Sequence, residues 1–497
     1  MKHTFLTSIA VFLGVFPLGA AEPGASRPDI LLLMPDQMRG DCLSGVGHPV
    51  LRTPNLDKLA QAGALFRRAY ATVPSCIPAR YAMLTGLYPQ TSGVVGFKSR
   101  LITTPTLPAL LTTAGYRTVL VGRTMHQDPP NKSVGFEREI LGSTYVEDDA
   151  YDRYLKAAVP ESGGINPLIK NLGVTLNWWQ AQPWPLADEL HPTAWVTRES
   201  SKVVAATPVE QPLFLVTSFY APHPPLFPPA RLFDALMKQD LPQPAHGDWV
   251  DWPQLSPAGN PEGDRILLKG DTLRRAQAGY FGLIEQLDAE IAPLVADFKA
   301  RSEKAGRPWL IVLTSDHGEM LGDHGYFRKC EPYEGADNIP LIIVASTSLG
   351  FKPGLLCKQP VCLEDIMPTL LALAGAKQAP SLDGVNLVPT LRGEPQTIRE
   401  LLHTEHAPTY SAAQAFHALT DGHFKYIWRP VTGAEQLFDL EKDPREEHDL
   451  SKLPVVEPWR ARMVRELVQR PEGFSDGKIL IPGRPYRAVQ DGAPNNK

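Results

Sequence analysis

Cys76 stands in Pro74-Ser75-Cys76-Ile77-Pro78-Ala79-Arg80, ahead of Tyr81-Ala82-Met83-Leu84-Thr85-Gly86. Pro78 suits the opening of a helix, so the spacing predicts Cys76 just before a helix N-terminus. The positive end of a helix dipole favours anions and lowers a thiol pKa. Arg80, one turn on, can reach back to the same spot. The pattern also fits a buried structural cysteine beside a surface arginine. Three other polar clusters each follow an apolar run: Asp36-Gln37, Pro222-His223-Pro224, and Ser315-Asp316-His317-Gly318-Glu319 continuing to Asp323-His324-Gly325. Oxygen-rich clusters suit a hard divalent cation. One Asp or His at a strand end is usually a cap or a solvated group. Several at one sheet edge are more informative.

The runs that must position them read as buried strands: Asp29–Met34, Arg117–Gly122, Pro212–Phe219, Trp309–Thr314 and Ile339–Ala345. Continuous apolar stretches of this length suit strands covered on both faces. Helical patterns lie between them. Thr53-Pro54 opens one that Gly63 ends, a Leu-rich one stops at Gly115, and the longest runs from about Leu273 to Lys304, mixed in charge and read as a core-packing helix with a solvated face. Alternating strands and helices predict an α/β fold with a large, mostly parallel central sheet, whose ligands bind beyond the carboxyl ends of the strands. Past a loop-rich link, Ala413–Thr420 and His423–Trp428 flank Asp421-Gly422, a hairpin signal. With Glu435–Leu440 and a helix from about Pro458 to Gln469, they predict a small C-terminal antiparallel sheet plus helix. The divisions are a leader over 1–21, a catalytic unit over 28–376, a linker and C-terminal subdomain over 377–482 and a tail over 483–497.

The chain has 497 residues, 43% hydrophobic and 21% charged, enough for a sizeable core. A net charge of −5 argues against a general nucleic-acid binder. Lys2 and His3, the apolar run from Phe5 to Ala20 and the small residues before Glu22 have the layout of an export signal, and the run is short for a membrane span. The expectation is an exported protein, periplasmic or extracellular, without stable membrane insertion. Five cysteines leave one thiol over.

Cys76-Ile77-Pro78-Ala79-Arg80 resembles the C-x-P-x-R signature of the type I sulfatases, in the alkaline phosphatase-like superfamily. The likeness extends over Pro28–Asp36, Leu84-Thr85-Gly86, Ser315–Gly325, Tyr333-Glu334-Gly335, Asp365–Leu371, Leu382–Val385, Leu437–Leu440 and Asp443-Pro444. The resemblance implies that a maturation enzyme oxidises Cys76 to formylglycine, whose hydrate is the nucleophile that cleaves a sulfate monoester. A gem-diol supplies one hydroxyl to attack sulfur and a second whose deprotonation expels sulfate. It implies Asp36, Gln37, Asp316 and His317, with residue 76, as the site of one divalent cation. That cation is calcium by analogy, with manganese allowed by the amide and imidazole. The commonest pattern has Asp where Gln37 stands.

Arg80 would hold the diol, His223 would meet the ester oxygen, and Lys329, four residues before Tyr333, would bind sulfate or assist the leaving group. Gly122-Arg123-Thr124-Met125-His126 departs from the family: Arg123 replaces a lysine, and the histidine comes one residue late. His126 can serve as the base if the loop bulges. Trp178, Trp179, Trp184, Trp195, Trp249 and Trp252 fall in one stretch where specificity loops would lie, suited to sugar or aryl faces or to ordinary packing. The expected substrate is a sulfated small molecule or glycan. The rivals are a phosphonate monoester or phosphodiester hydrolase of the same fold, and a silent sulfated-glycan binding protein. With Cys76 oxidised, Cys42, Cys330, Cys357 and Cys362 remain, an even set that could pair in an oxidising compartment.

Overall fold

Strand β1 (Asp29–Asp36) shows why these runs are apolar throughout: every residue in it is buried. Leu31 and Leu33 join one core, while Ile30, Leu32 and Met34 join the core on the opposite face. The same alternation divides Phe214 and Val216 from Leu213 and Leu215 in the strand Leu213–Pro222. A sheet covered on both sides needs side chains that lose water on both sides, hence no polar alternation. The computed structural model describes residues 27–490 except 131, 258 and 260–264. The leader read at 1–21 and the tail residues 491–497 lie outside the described residues.

In chain order the strands are β1, β2 (Ala64–Phe66), β3 (Ala69–Tyr70), β4 (Arg117–Gly122), β5 (Arg138–Leu141), β6 (Leu213–Pro222), β7 (Trp309–Thr314), β8 (Leu341–Ala345), β9 (Leu355–Cys357), β10 (Val361–Cys362), β11 (Leu402–His406), β12 (Phe416–Thr420), β13 (Phe424–Trp428) and β14 (Glu435–Asp439). Eight form one sheet in the order β5-β4-β6-β1-β7-β8-β2-β9. The first five are mutually parallel, and β8 runs antiparallel to both neighbours. Strands β11 to β14 form the antiparallel C-terminal sheet, with Gly422 at φ 89° in the β12–β13 turn. The strands β2, β3, β5, β9 and β10 are too short to carry a pattern, and none is visible in the sequence. Nor is β11, whose Leu-His-Thr-Glu-His is mostly polar yet mostly buried.

Helix Gly270–Lys304 buries 18 of its 35 residues, keeps the others on a solvated face, and packs on one side of the sheet with Pro192–Ala206. Helix Cys76–Thr85 lies on the other side, where Ala79, Met83 and Leu84 join the second core. It starts at Cys76, two residues before the predicted opening, so Cys76 is its first residue rather than the one preceding it. The cysteines do not pair: all five are buried free thiols. Cys357 and Cys362 are close in sequence, but β9 belongs to the large sheet and β10 to a separate two-stranded one. No described helix is long and apolar enough to cross a membrane.

Candidate active site

Register brings the site together. Leu33 of β1 lies opposite both Thr217 of β6 and Leu313 of β7, and Gly122 of β4 opposite Ser218 of β6. The carboxyl ends of four parallel strands therefore sit side by side, and Asp36, Arg123, His223 and Asp316 emerge from them. Gly122 has φ 101°, and a Cβ there would lie 2.0 Å from the Ser218 carbonyl oxygen. Only glycine fits, and Arg123 N then donates to that oxygen (2.8 Å).

All ten residues singled out in the sequence converge here. Cys76 Sγ lies 3.1 Å from His317 Nε2, 3.1 Å from Lys329 Nζ and 3.7 Å from Arg123 Nη2. Burial raises the thiol pKa, but Lys329 and His317 outweigh it and hold the thiol well below its usual range. Lys329 Nζ also reaches Gln37 Oε1 (3.0 Å) and His223 Nε2 (3.1 Å), so three acceptors face the three protons of an ammonium. His223 donates from Nδ1 to Pro224 O (2.6 Å), which leaves Nε2 as an acceptor. Burial, then Lys329 and Arg123, push its pKa well down, so the ring is neutral.

Arg80 is fully buried and bridges the two carboxylates, with Nη2 to Asp36 Oδ2 at 2.8 Å and Nε to Asp316 Oδ2 at 2.9 Å. Its remaining nitrogen meets Thr124 O and Ser218 Oγ. The guanidinium thus orients the acids, rather than reaching back to Cys76 as its spacing allowed. Arg123 Nε pairs with Asp36 Oδ2 (2.8 Å), and its face lies over the Tyr220 ring at 4.4 Å. His126 has φ 58°, a left-handed turn that supplies the one-residue bulge. That turn brings the ring within hydrogen-bonding range of Cys76, and burial lowers its pKa despite that contact. Its Nε2 lies 3.3 Å from Arg123 Nη2.

One oxygen, nitrogen or sulfur atom from each of Asp36, Cys76, Asp316 and His317 lies within 4.8 Å of the others, and all four residues are buried. His317 Nδ1 donates to Gly318 O (2.9 Å), so Nε2 is the ring atom that faces the cluster, and, against burial, Asp316 and Cys76 raise the pKa of the ring. Burial, Asp316 and Cys76 push Asp36 up, while His317 and Arg80, against burial, hold Asp316 down. Acids that crowd until one takes a proton are a donor set into which a divalent cation fits. Gln37 has φ 69°, and its amide nitrogen donates to Glu319 Oε2, which turns Oε1 to the site side.

Several supporting groups escaped the sequence reading. Glu319 stood in the polar run but carried no assigned role; its other oxygen accepts from Leu321 N and Arg328 N. Tyr280, hidden in the long helix, donates to Gln37 O (2.6 Å). Ser315 Oγ accepts from Met38 N (2.9 Å). From the C-terminal sheet, His406 Nε2 lies 2.8 Å from Ser75 Oγ. The tryptophan stretch divides: Trp184 and Trp195 are core, Trp249 stacks on Tyr333, and Trp252 stacks on His246. Trp178 is exposed and stacks on Trp179 (5.2 Å, 20°), which leans on Phe327 two residues before Lys329.

A parallel sheet with a buried, cation-ready acid cluster around a helix-terminal cysteine defines an alkaline phosphatase-like hydrolase. Residues 28–376 match the sulfatase family, and residues 322–472 match the C-terminal region of N-sulphoglucosamine sulphohydrolase. The arylsulfatase of Clostridium perfringens is 35% identical over 490 residues, covering 93% of this chain and 99% of that protein. The choline-sulfatase of Rhizobium meliloti is 29% identical over 463 residues, covering 86% and 83%. Among solved structures, the phosphonate monoester hydrolase of Agrobacterium radiobacter superposes with a TM-score of 0.71 at 25% identity, covering 89% of this chain and 95% of that one. The chain belongs to the sulfatase family. It is a sulfuric ester hydrolase, and the family in general uses formylglycine and a divalent metal.

Proposed function

We propose that the enzyme cleaves a sulfate monoester of a carbohydrate with Cys76, matured to formylglycine by a dedicated enzyme, as nucleophile. The observation that carries this is the position of Cys76 Sγ, first in its helix and 3.1 Å from both Lys329 Nζ and His317 Nε2. The sulfur stands in for an oxygen of the hydrated aldehyde, which supplies one hydroxyl for attack and another for release of sulfate. Asp36, Gln37, Asp316, His317 and residue 76 would hold calcium, or manganese given the imidazole, and the cation would offset charge and lower the nucleophile's pKa.

The remaining steps belong to side chains. Lys329 is the donor that gives a proton to the ester oxygen as its bond to sulfur breaks, and neutral His223, whose Nε2 accepts a hydrogen bond from Lys329 Nζ, holds that ammonium at the ester oxygen. Arg123 adds fixed positive charge against the sulfate oxygens but is a poor proton carrier. His126, neutral by burial, is the base for the second hydroxyl. Arg80 holds Asp36 and Asp316 in place. The exposed indole of Trp178 offers a face to a sugar ring near the Phe327–Lys329 segment. The leader at residues 1–21 supports export.

Mass analysis of the Cys76 peptide from the native host is the direct test: an aldehyde is expected, and thiol alone would overturn the nucleophile. The likeness to a phosphonate monoester hydrolase supports a second reading, so aryl sulfate and aryl phosphonate esters should be compared with calcium and with manganese. Sulfate is expected to turn over faster. Faster phosphonate cleavage selects the second reading, and turnover of neither ester leaves a silent binding protein.

A further inference from the structure

A second cavity, of about 370 Å³, lies apart from the Cys76 site. Neither Cys76, Lys329 nor His223 lines it. Its walls come from the Arg39–Pro49 segment after β1, from Arg67 and Arg68 after β2, and from Pro444–Glu446 beyond β14. That volume is of the size that holds a small organic ligand.

Its charges do not cancel pairwise. Arg39 takes Asp41 and Asp323, each at 2.7 Å. Glu334 is taken by Arg68 (3.2 Å) and by Lys425 (2.8 Å), and Glu446 by Lys425 (3.2 Å). Every carboxylate lining the cavity is therefore engaged. Arg67 is left: among the described residues no ion pair or hydrogen bond engages its guanidinium, although the side chain is only partly exposed. Burial and the neighbouring Arg68 lower its pKa, and the pull of Asp41 and Glu334, both engaged with other cations, does not offset them. A half-buried guanidinium without an acceptor, facing a cavity, has the fork geometry that binds tetrahedral oxyanions and carboxylates in pairs of hydrogen bonds. His48 also lines the cavity, and burial pushes it down to about 4, so it offers a neutral imidazole to a hydroxyl.

We propose that this cavity is a second ligand site, anchored by Arg67, for a sulfate-type oxyanion, free or carried on a saccharide. It is independent of the reaction at Cys76. Arg39, which forms one wall, donates from Nη1 to the backbone carbonyls of Glu319 (3.0 Å) and Met320 (3.2 Å).

Calorimetric titration of the full mature chain with inorganic sulfate tests this, beside Arg67→Ala, Arg67→Gln and Lys329→Met. Two classes of site are expected in the unaltered chain. Each Arg67 variant should weaken one class at least tenfold while leaving kcat/KM for 4-nitrophenyl sulfate within twofold, and Lys329→Met should weaken only the other. Glucose 6-sulfate, titrated in a Cys76→Ala background to prevent turnover, distinguishes the sources: tighter binding than inorganic sulfate at the Arg67-dependent class assigns a saccharide-borne anion, and equal or weaker binding assigns the free oxyanion. A folded Arg67→Gln chain that binds sulfate like the unaltered one overturns the proposal, as does a single class abolished by Lys329→Met.

Discussion

Among the described residues, two clusters bring histidine and acid side chains to within 4.8 Å of one another: Asp36, Cys76, Asp316 and His317 at the strand ends, and His403, Glu405 and His417 in the C-terminal sheet. They differ in what satisfies them. Glu405 receives Arg470 through both nitrogens (2.8 and 2.7 Å) and the Tyr486 hydroxyl as well. His403 Nε2 and His417 Nδ1 lie 3.1 Å apart, and the His417 ring stacks near Trp428 and Tyr486. Three donors occupy that carboxylate, and Arg470 supplies its counter-charge. At the strand ends, Arg80 and Arg123 converge on Oδ2 of Asp36, while Asp36 Oδ1, Cys76 Sγ and His317 Nε2 look at one another. Proximity alone does not separate a reactive cluster from a structural one; the lone pairs left over do.

The largest effect should follow from removing the donor that faces Cys76. Lys329→Met is expected to lower kcat by roughly 10²–10³-fold, as loss of one preorganised charge on a developing anion does. Steady-state turnover of an aryl sulfate checks this, and a loss under tenfold would move proton donation elsewhere. The comparison itself is tested by metal content: elemental analysis of the mature protein should give one divalent ion per chain. Two per chain would show that Glu405 yields Arg470 to a cation.

A smaller effect is expected one layer out. Glu319→Gln replaces the acceptor that holds Gln37 Nε2 by an amide that can present the wrong group, and support of this kind is typically worth about 10–100-fold. The readout is the midpoint of metal-dependent activity, which should shift to higher metal concentration with kcat at saturation little changed. A fall in kcat at saturating metal would instead place Glu319 in the chemistry.

The sequence exposed what strand ends expose. Asp36, His223 and Asp316 follow apolar runs long enough to read, and parallel strands must deliver such residues to one edge. Cys76 carried a signature, and Lys329 was placed by its distance from Tyr333. What stayed hidden depends on backbone turns and on distant packing. Left-handed Gln37 and His126 carry no glycine to announce the turn. Tyr280 lies 243 residues from the Gln37 carbonyl it binds and resembles any other core tyrosine in a helix. Strand β11 was invisible because its His and Glu are satisfied only by partners such as Arg470, Tyr486 and Ser75, which a local pattern cannot supply. Spacing places Arg80 near Cys76, but two buried carboxylates, Asp36 and Asp316, compete for its guanidinium.

The smallest effect on turnover, and the sharpest test of the contrast, comes from Arg470→Met. Breaking a buried pair strands the other charge, so the variant should lose about 3–5 kcal/mol of stability at neutral pH, read by denaturant unfolding. Aryl sulfate turnover well below the melting temperature should stay within about twofold. In the intact chain burial alone would raise the Glu405 pKa, but Arg470 and His403 outweigh it and hold the carboxyl below its ordinary value. Its contribution is therefore complete above the unfolded value of about 4.5 and is lost as pH falls through the lower folded value. Without Arg470 the buried carboxyl takes up a proton more readily, so the stability gap between the two proteins should narrow as pH falls from 7 towards 4. A gap independent of pH would mean that Arg470 acts by packing, not charge. A tenfold fall in turnover with the fold intact would mean that strain in β11 reaches Cys76 through His406 and Ser75, and the two clusters would then be one machine.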